Sequence, residues 1–475
     1  MTDEGQLRYA WRTLSVVSLA SVLIGLGGSA INVALPEIAR GTGAGAAAST
    51  WILLAFQLTT TVLMIAFGRL ADMFGRRTMY LCGLATYTLA SLLAGFAPDA
   101  WVIVALRVVQ AAGAAMLLTN SAALVTAAFP RARLGEGMGV YIASFSIAQL
   151  TGPTLGGLLA EHLGWRWVFW YNVPIGLACL VWGALVLRRA GPAGRERGLD
   201  LPGNVLVLVS LGGLLLALSE VTRLGWSHPL ILSGLAGFAL GLPLFVLRQS
   251  RAAHPVVDVR LFRDRAFALG TLASFLNSVA RVGMVFLVAL YFQAVRGDDP
   301  VEAGLKVLPL ALAAMVASVL SGFLQRWSGP RALAVAGASI TTSGLLLLLC
   351  TISAGVPYVT VAVALALIGL GSGVFLPSNT TVLLDRVPAD RLGIVNALRL
   401  MLQNTGVVVG SALSLSMITA PLPAALHDQV FAGTLSQLSG GAVEQLVTGY
   451  RWALGCMVVV SALNVLACAA RSKGT

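Results

Sequence analysis

Fourteen apolar runs, each long enough to cross a bilayer, constrain the fold of this chain more than any other feature. The runs cover residues 14–36, 48–67, 78–97, 101–126, 137–160, 166–187, 203–220, 229–248, 267–292, 304–324, 331–352, 358–384, 393–418 and 449–470. A helix needs roughly 20 apolar residues to cross the hydrocarbon core, and lipid offers no hydrogen-bond partner to an exposed backbone. We therefore expect an all-α membrane protein with fourteen transmembrane helices. Twelve spans with two re-entrant runs is the alternative count.

The composition excludes several classes of protein. Of the 475 residues, 57% are hydrophobic and 11% are charged, whereas soluble domains carry about 25% charged residues. The five cysteines lie inside apolar runs without paired spacing, and the four histidines form no cluster. Neither metal-ligand spacing nor a P-loop occurs. We therefore expect no metal, no cofactor and no enzymatic activity.

The basic residues indicate the orientation. The net charge is +12, and the basic residues fall in short clusters between the apolar runs. With the N-terminus inside, 22 of the 31 basic residues lie in cytoplasmic segments, six lie outside, and Arg107, Arg281 and Arg399 lie within runs. This bias follows the positive-inside rule. We expect a multi-pass protein of the cell membrane with both termini cytoplasmic and no nucleic-acid partner.

A short hinge occurs twice. The stretch GRLADMFGRR, residues 68–77, aligns without gaps with GFLQRWSGPR, residues 322–331. Each copy follows the second run of a six-run block, and such internal repeats are typical of secondary transporters. The pattern predicts an N-terminal six-helix half at 1–190, a linker with two additional helices at 191–265, and a C-terminal six-helix half at 266–475.

The first hinge has the residues of a conformational latch. Gly68 and Gly75 permit close approach and a tight turn. Asp72 can meet the positive N-terminal end of the third helix or a nearby arginine. Arg76 and Arg77 hold the loop at the cytoplasmic face. A tight, positive-inside turn without a latch is the alternative, and the second hinge has Arg326 in place of the acid.

Several motifs together resemble the fourteen-helix drug:proton antiporter branch of the major facilitator superfamily. They are GRLADMFGRR, RVVQAAGAA from Arg107, GPTLGG from Gly152, INVALP from Ile31, WRWVFWYNVPIG from Trp165, LYFQAVRG from Leu290 and AGLKVLP from Ala303. The resemblance runs through the whole chain. It implies multidrug or antibiotic efflux and favours the latch.

The resemblance also assigns roles to two helices. It implies that Arg107, with Gln110 one turn on, couples transport in the fourth helix. Snorkelling of Arg107 to the interface is the alternative. The helix 5 motif, Gly152, Pro153 and Gly156, is tied to export by the resemblance, and a merely structural proline kink is the alternative.

Polar residues inside the spans predict a central cavity. An intramembrane charge is costly and marks function by default. The predicted lining is Asn32, Asn120, Asn277, Arg281, Arg399 and Gln403. Asn277 and Arg281 are four residues apart and share a helix face, as Arg399 and Gln403 do. Interhelical hydrogen bonding is an equal alternative for Asn120.

One position departs from the branch. The drug:proton antiporter branch usually has an acid five residues before the Asn of INVALP, whereas this chain has Gly27 at that position. We find no acid deep in a run, so Asp72 and Glu37 remain as candidate proton carriers. The excess of intramembrane arginine over acid favours anionic or neutral substrates.

We therefore expect a monomeric secondary transporter that exports drugs, antibiotics or related small molecules by alternating access in exchange for protons. Its partners are the small-molecule substrate, protons and the lipid bilayer. The alternative is a major-facilitator uptake or exchange transporter without proton coupling, because of Gly27. A membrane enzyme lacks a catalytic set here. A sensor would bring a soluble domain, for which the polar segment 419–448 is too short.

Overall fold

The computed structural model describes residues 3–188, 200–251, 259–298, 300–353, 355–385, 387, 392–421 and 440–472. Throughout these ranges the regular structure is helical, without a strand. The helices are α1 (Asp3–Thr42), α2 (Ala46–Phe74), α3 (Arg76–Ala94), α4 (Ala100–Ala128), α5 (Leu134–His162), α6 (Trp167–Trp170), α7 (Asn172–Val186), α8 (Leu201–Leu224), α9 (Pro229–Arg251), α10 (Arg265–Ala294), α11 (Pro300–Lys306), α12 (Leu308–Ser328), α13 (Pro330–Thr351), α14 (Tyr358–Leu384), α15 (Leu392–Thr419) and α16 (Gly440–Ser472). Short 3-10 turns occur at Arg131–Arg133 and Val259–Arg263.

Each of the fourteen apolar runs lies on a helix or a pair of helices, so the all-helical class is confirmed. Among the described residues, eleven helical stretches are long and apolar enough to cross a membrane. The helices α3, α5 and α10 are not among those eleven stretches. The count of fourteen spans therefore stays a prediction. The predicted boundary at 190 and 191 lies outside the described residues.

Two predicted runs are broken in the structure. The run 166–187 divides into α6 and α7, and the run 304–324 divides into α11 and α12. Pro174 and Pro309 lie in the first turns of α7 and α12. Proline has no backbone N–H, so it fits a first turn but cannot continue the hydrogen bonding of a preceding helix.

The chain divides into two compact units. Unit 1 contains Met1–Leu216, Ser233–Arg260 and Leu384–Met401, and unit 2 contains Ala217–Leu232, Leu261–Leu383 and Leu402–Thr475. In unit 1, α1 packs on α5, and α4 packs on α2 and α3. In unit 2, α16 packs on α10 and α13. The first ten residues of α15 belong to unit 1, although α15 lies in the predicted C-terminal half.

The two hinges have the same backbone conformation. Gly75, between α2 and α3, has φ 92° and ψ 136°, and Gly329, between α12 and α13, has φ 70° and ψ 148°. Only glycine adopts such positive φ values readily. The Gly75 amide donates to the Ala71 carbonyl, and the Gly329 amide donates to the Gln325 carbonyl. The sequence repeat therefore has a matching local structure in each unit.

A buried carboxylate joins α8 and α9. The Asp200 carboxylate accepts hydrogen bonds from the Gly203 amide (3.1 Å), from Nε and Nη2 of Arg248 (3.0 and 2.9 Å) and from Nε2 of Gln249 (2.9 Å). Burial raises the pKa of Asp200, but these donors outweigh burial and hold the pKa below its usual value. The start of α8 is thereby fixed to the end of α9.

Candidate functional site

The predicted latch residue Asp72 makes contacts with the start of α15. Asp72 Oδ1 accepts from the Gly393 amide at 3.3 Å, and Oδ2 accepts from the Ile394 amide at 3.1 Å. Arg76 Nη2 lies 3.4 Å from Oδ1 of the same carboxylate. These amides belong to the first turn of a helix, where free N–H groups and the helix dipole favour an anion. The predicted arginine partner is therefore present, but the helix end that Asp72 meets belongs to α15 rather than α3.

Two glycines make room for this contact. A Cβ added at Gly68 would lie 2.7 Å from the Ala397 Cβ, and a Cβ added at Gly393 would lie 2.5 Å from Asp72 Oδ1. Gly68 thus allows α2 to approach α15, while Gly75 makes the turn. Arg77 Nη2 donates to the Ala184 carbonyl at the end of α7 (2.9 Å).

A second attachment, which the sequence did not indicate, lies in the same part of unit 1. The side chain of Asn396 is buried, and its Nδ2 donates to the carbonyls of Thr119 (2.7 Å) and Leu118 (3.3 Å) on α4. Its Oδ1 accepts from Arg399 Nε and Nη2 at 3.2 and 3.0 Å. Because Gly393 is a glycine near the start of an apolar run, the sequence could have indicated it as a position of close contact. No local feature of the sequence marks Asn396.

The two candidate coupling residues of α4, Arg107 and Gln110, bond each other. Arg107 is 1% exposed, and its Nη1 donates to Gln110 Oε1 at 2.7 Å. Its Nε donates to the Ile52 carbonyl at 3.1 Å, and Gln110 Nε2 donates to Ser91 Oγ at 2.7 Å. The guanidinium also lies 4.0 Å from the centroid of the Phe56 ring. Arg107 is therefore held between α2 and α4 rather than extended to an interface.

The helix 5 motif is a close crossing of α5 on α1. A Cβ at Gly156 would meet the Ala30 backbone, 2.7 Å from its Cα, and a Cβ at Gly152 would meet Ser29. The helix is continuous through Pro153. In unit 2, Gly410 makes the matching approach of α15 to α10, because its Cβ would lie 2.8 Å from the Val279 Cα. Small residues four apart allow such backbone approach in membranes.

The position of the missing acid is occupied by other side chains. A Cβ at Gly27 would collide with the hydroxyl of Tyr87, and it would lie 3.0 Å from Asn172 Oδ1. Tyr87 and Asn172 are both fully buried. A carboxylate at position 27 therefore has no space unless Tyr87 moves.

The predicted cavity residues divide between the units. In unit 1, Asn32 is exposed, Asn120 is buried with Nδ2 bonded to the Met116 carbonyl (2.7 Å), and Arg399 bonds Asn396. In unit 2, Asn277 is 1% exposed, and Arg281 and Gln403 are partly buried. Asn396, three residues earlier in α15, is thus an amide partner of Arg399.

Carboxylates near the spans are few. Glu37, a predicted proton carrier, is half-buried and lies 2.5 Å from Arg40 Nη2. Glu220 on α8 is 2% exposed and lies one residue before the end of the apolar stretch Pro202–Val221. Among the described residues, no group of three or more His, Cys, Asp or Glu side chains could hold a metal ion.

Comparisons with known proteins agree on one family. A family model described as Major Facilitator Superfamily matches residues 17–411. The chain is 35% identical to "Multidrug resistance protein Stp" of Mycobacterium tuberculosis over 88% of this chain and 78% of that protein. It is 30% identical to the "Tetracenomycin C resistance and export protein" of Streptomyces glaucescens over 85% and 74% of the two chains. The structure of the human organic anion transporter MFSD10 (TETRAN) matches 97% of this chain and 99% of its own, with a TM-score of 0.66 and 16% identity.

Proposed function

Because the chain belongs to the major facilitator superfamily, we propose that it exports drugs, antibiotics or related small molecules by alternating access. The chain is a multi-pass membrane protein with the helical fold of this superfamily, whose members transport small molecules and are not enzymes. Two relatives carry resistance in their names, and one of these names also includes export. These names and the helix 5 motif support the outward direction.

The contact of Asp72 with the first turn of α15 carries the mechanism. Its bonds are non-covalent and charge-assisted, and each is worth about 1.5–3 kcal/mol. Such a contact stabilises one conformation strongly and can still be broken within a transport cycle. In our proposal Gly68, Asp72, Gly75, Arg76 and Arg77 form the latch, which is closed here and opens in the other state.

We further propose that Arg107 and Gln110 hold α4 in position while the latch opens and closes. Their bonds run from α4 to the backbone of α2 and to Ser91 on α3. The crossing at Gly152 and Gly156, with its counterpart at Gly410, provides glycine-lined surfaces along which α5 and α15 can shift. Small sliding of packed helices is a common form of conformational change.

Proton exchange is the driving force that we propose. Glu220 is the carboxylate to test first, because its side chain is only 2% exposed and lies at the end of the apolar stretch Pro202–Val221 of α8. Uncoupled uptake or exchange is the runner-up, and the occupied space beside Gly27 favours it.

The organisation in our proposal is fourteen spans in two six-helix halves, with α8 and α9 inserted between them. The matching hinges at Gly75 and Gly329 support the two halves, and the bonds of Asp200 support α8 and α9 as one hairpin. In our proposal both termini are cytoplasmic, and the distribution of the basic residues supports this orientation. We propose a monomer in the cell membrane.

Drug accumulation in a host stripped of its own exporters tests this function. Cells that express the chain should accumulate less of at least one drug of a broad panel than cells with empty vector. The Asp72→Asn variant at equal membrane level serves as the impaired control. Equal accumulation for every drug, or greater accumulation with the wild-type chain, contradicts export.

A further inference from the structure

Only one of the three arginines within predicted spans lacks a partner among the described residues. Arg107 bonds Ile52 and Gln110, and Arg399 bonds Asn396. Arg281 has a buried Nε without a hydrogen-bond partner, and no described carboxylate lies within ion-pair distance of it. Its side chain is partly exposed, as a ligand-binding residue requires.

Two neighbours of Arg281 on α10 are also without partners. Asn277 and Ser278 are each 1% exposed, and neither amide atom of Asn277 nor Oγ of Ser278 has a hydrogen-bond partner in the described structure. Asn277 and Ser278 precede Arg281 by four and three residues, so the three side chains share a helix face. Buried polar groups are normally paired, and each exception needs an explanation.

On the preceding turn of α10, the polar groups do have hydrogen-bond partners within the protein. There, Asn379 of α14 donates from Nδ2 to Ser274 Oγ (2.8 Å) and to the Gly270 carbonyl (3.0 Å). The polar face of α10 is therefore satisfied by protein up to Ser274 and unsatisfied from Asn277 to Arg281. An external polar group would complete it.

The position in the helix excludes a lipid headgroup as that group. Arg281 lies 16 residues after Arg265 and 13 before Ala294 in α10. At 1.5 Å per residue, it is about 24 Å and about 20 Å from the two ends. A charge at this depth has to be compensated within the span.

We propose that Arg281, Asn277 and Ser278 form a subsite for the carboxylate of an anionic substrate. The planar guanidinium donates two parallel hydrogen bonds to a carboxylate. Asn277 Nδ2 and Ser278 Oγ supply further donors, and Asn277 Oδ1 accepts from a donor elsewhere on the ligand. This inference rests on the proposed export function, because it names the substrate class of that transporter.

Binding of matched carboxylate and amide pairs to the purified full-length chain tests the subsite. The pairs are benzoate with benzamide, salicylate with salicylamide, and 2-naphthoate with 2-naphthamide. Wild-type protein should bind at least one carboxylate about tenfold more tightly than its amide. Arg281→Gln should abolish the preference, and Arg281→Lys should retain part of it. Arg296→Gln, which changes an exposed arginine just after α10, should leave it unchanged.

The preference for carboxylate over amide is measured on the wild-type protein alone, so a folding defect in Arg281→Gln cannot hide it. The Asn277→Leu variant gives a second test, because it should weaken the same preference. Equal binding of acid and amide in all pairs, or an unchanged preference in Arg281→Gln, overturns the subsite. Export of a cationic dye such as ethidium without carboxylate preference overturns the subsite and leaves export standing. Carboxylate binding without movement of any panel compound across vesicles overturns export and leaves the subsite standing.

Discussion

At the scale of single residues, the latch depends on one carboxylate that faces donors from two directions. Asp72 is 7% exposed and accepts from the backbone of α15 and from Arg76. The geometry leaves no room for a larger residue at position 393. The latch is therefore a property of Asp72 and Gly393 together, although the two residues are 321 positions apart in the chain.

Changing Asp72 to Asn should lower transport about tenfold or more at normal membrane levels. Asn keeps one acceptor and loses the charge, so hydrogen bonds worth about 1.5–3 kcal/mol each are weakened or lost. Gly393→Ala should act in the same direction, because its Cβ would lie 2.5 Å from Asp72 Oδ1. Initial export rates of a compound found in the accumulation assay measure both effects.

Matched controls exist for both variants. Asp99 also accepts from helix amides, at 2.8 and 3.0 Å, but it caps the helix that follows it, α4. Asp99→Asn should leave the export rate within about twofold. A Cβ at Gly455 meets nothing within 4 Å, so Gly455→Ala controls for Gly393→Ala. Wild-type export by Asp72→Asn would show that the contact is not a latch.

At the scale of helices, glycines four apart set the distance between α5 and α1 and between α15 and α10. Gly156→Ala and Gly410→Ala should each destabilise the protein by about 1–3 kcal/mol, because an added methyl group meets backbone. Gly157→Ala is the control for α5, since its Cβ would lie 3.5 Å from the nearest atom, Val33 Cγ1. Thermal unfolding in detergent measures the difference. Equal unfolding midpoints for Gly156→Ala and Gly157→Ala would contradict the close crossing of α5 on α1.

Asp200 should contribute to the stability of the hairpin of α8 and α9, and this contribution should depend on pH. Its pKa in the folded state lies below the usual 3.8, so the unfolded state binds protons more readily. The contribution is fully present above pH 3.8 and is lost as the pH falls through the folded pKa. We expect Asp200→Asn to be less stable than wild type at neutral pH, and the difference in stability to narrow as the pH falls below 3.8. Glu4→Gln, which changes an exposed residue, is the control. A stability difference between Asp200→Asn and wild type that stays constant with pH would contradict this role of Asp200.

At the scale of the whole molecule, the sequence predicted what the bilayer and the backbone dictate. Apolar length predicted the helices, and the repeated glycine hinge predicted a tight turn that the structure shows at Gly75 and again at Gly329. The resemblance named Arg107 and Gln110 together, and the two side chains bond because residues three apart on a helix are neighbours. These features depend on local rules.

Long-range partners could not be predicted in the same way. The pairing of Asp72 with α15, the bonds from Asn396 to α4, and the approach of Tyr87 to the backbone at Gly27 all join distant segments. Helix breaks at Tyr171 and Val307 were missed because hydropathy averages over a window, whereas a proline acts at one position. Substrate contacts depend on such tertiary details, and they are therefore proposals.

The central claim is export in exchange for protons, and substrate-induced proton movement in vesicles tests it most directly. Purified protein is reconstituted, a pH gradient is imposed, and a dye reports the gradient while an exported compound is added. We predict that the compound collapses the gradient only in vesicles that contain the protein. Glu220→Gln should abolish the collapse, and Glu4→Gln should preserve it. Transport of labelled compound with an undisturbed gradient would contradict proton coupling, and an absence of movement for every exported compound would contradict export by this chain.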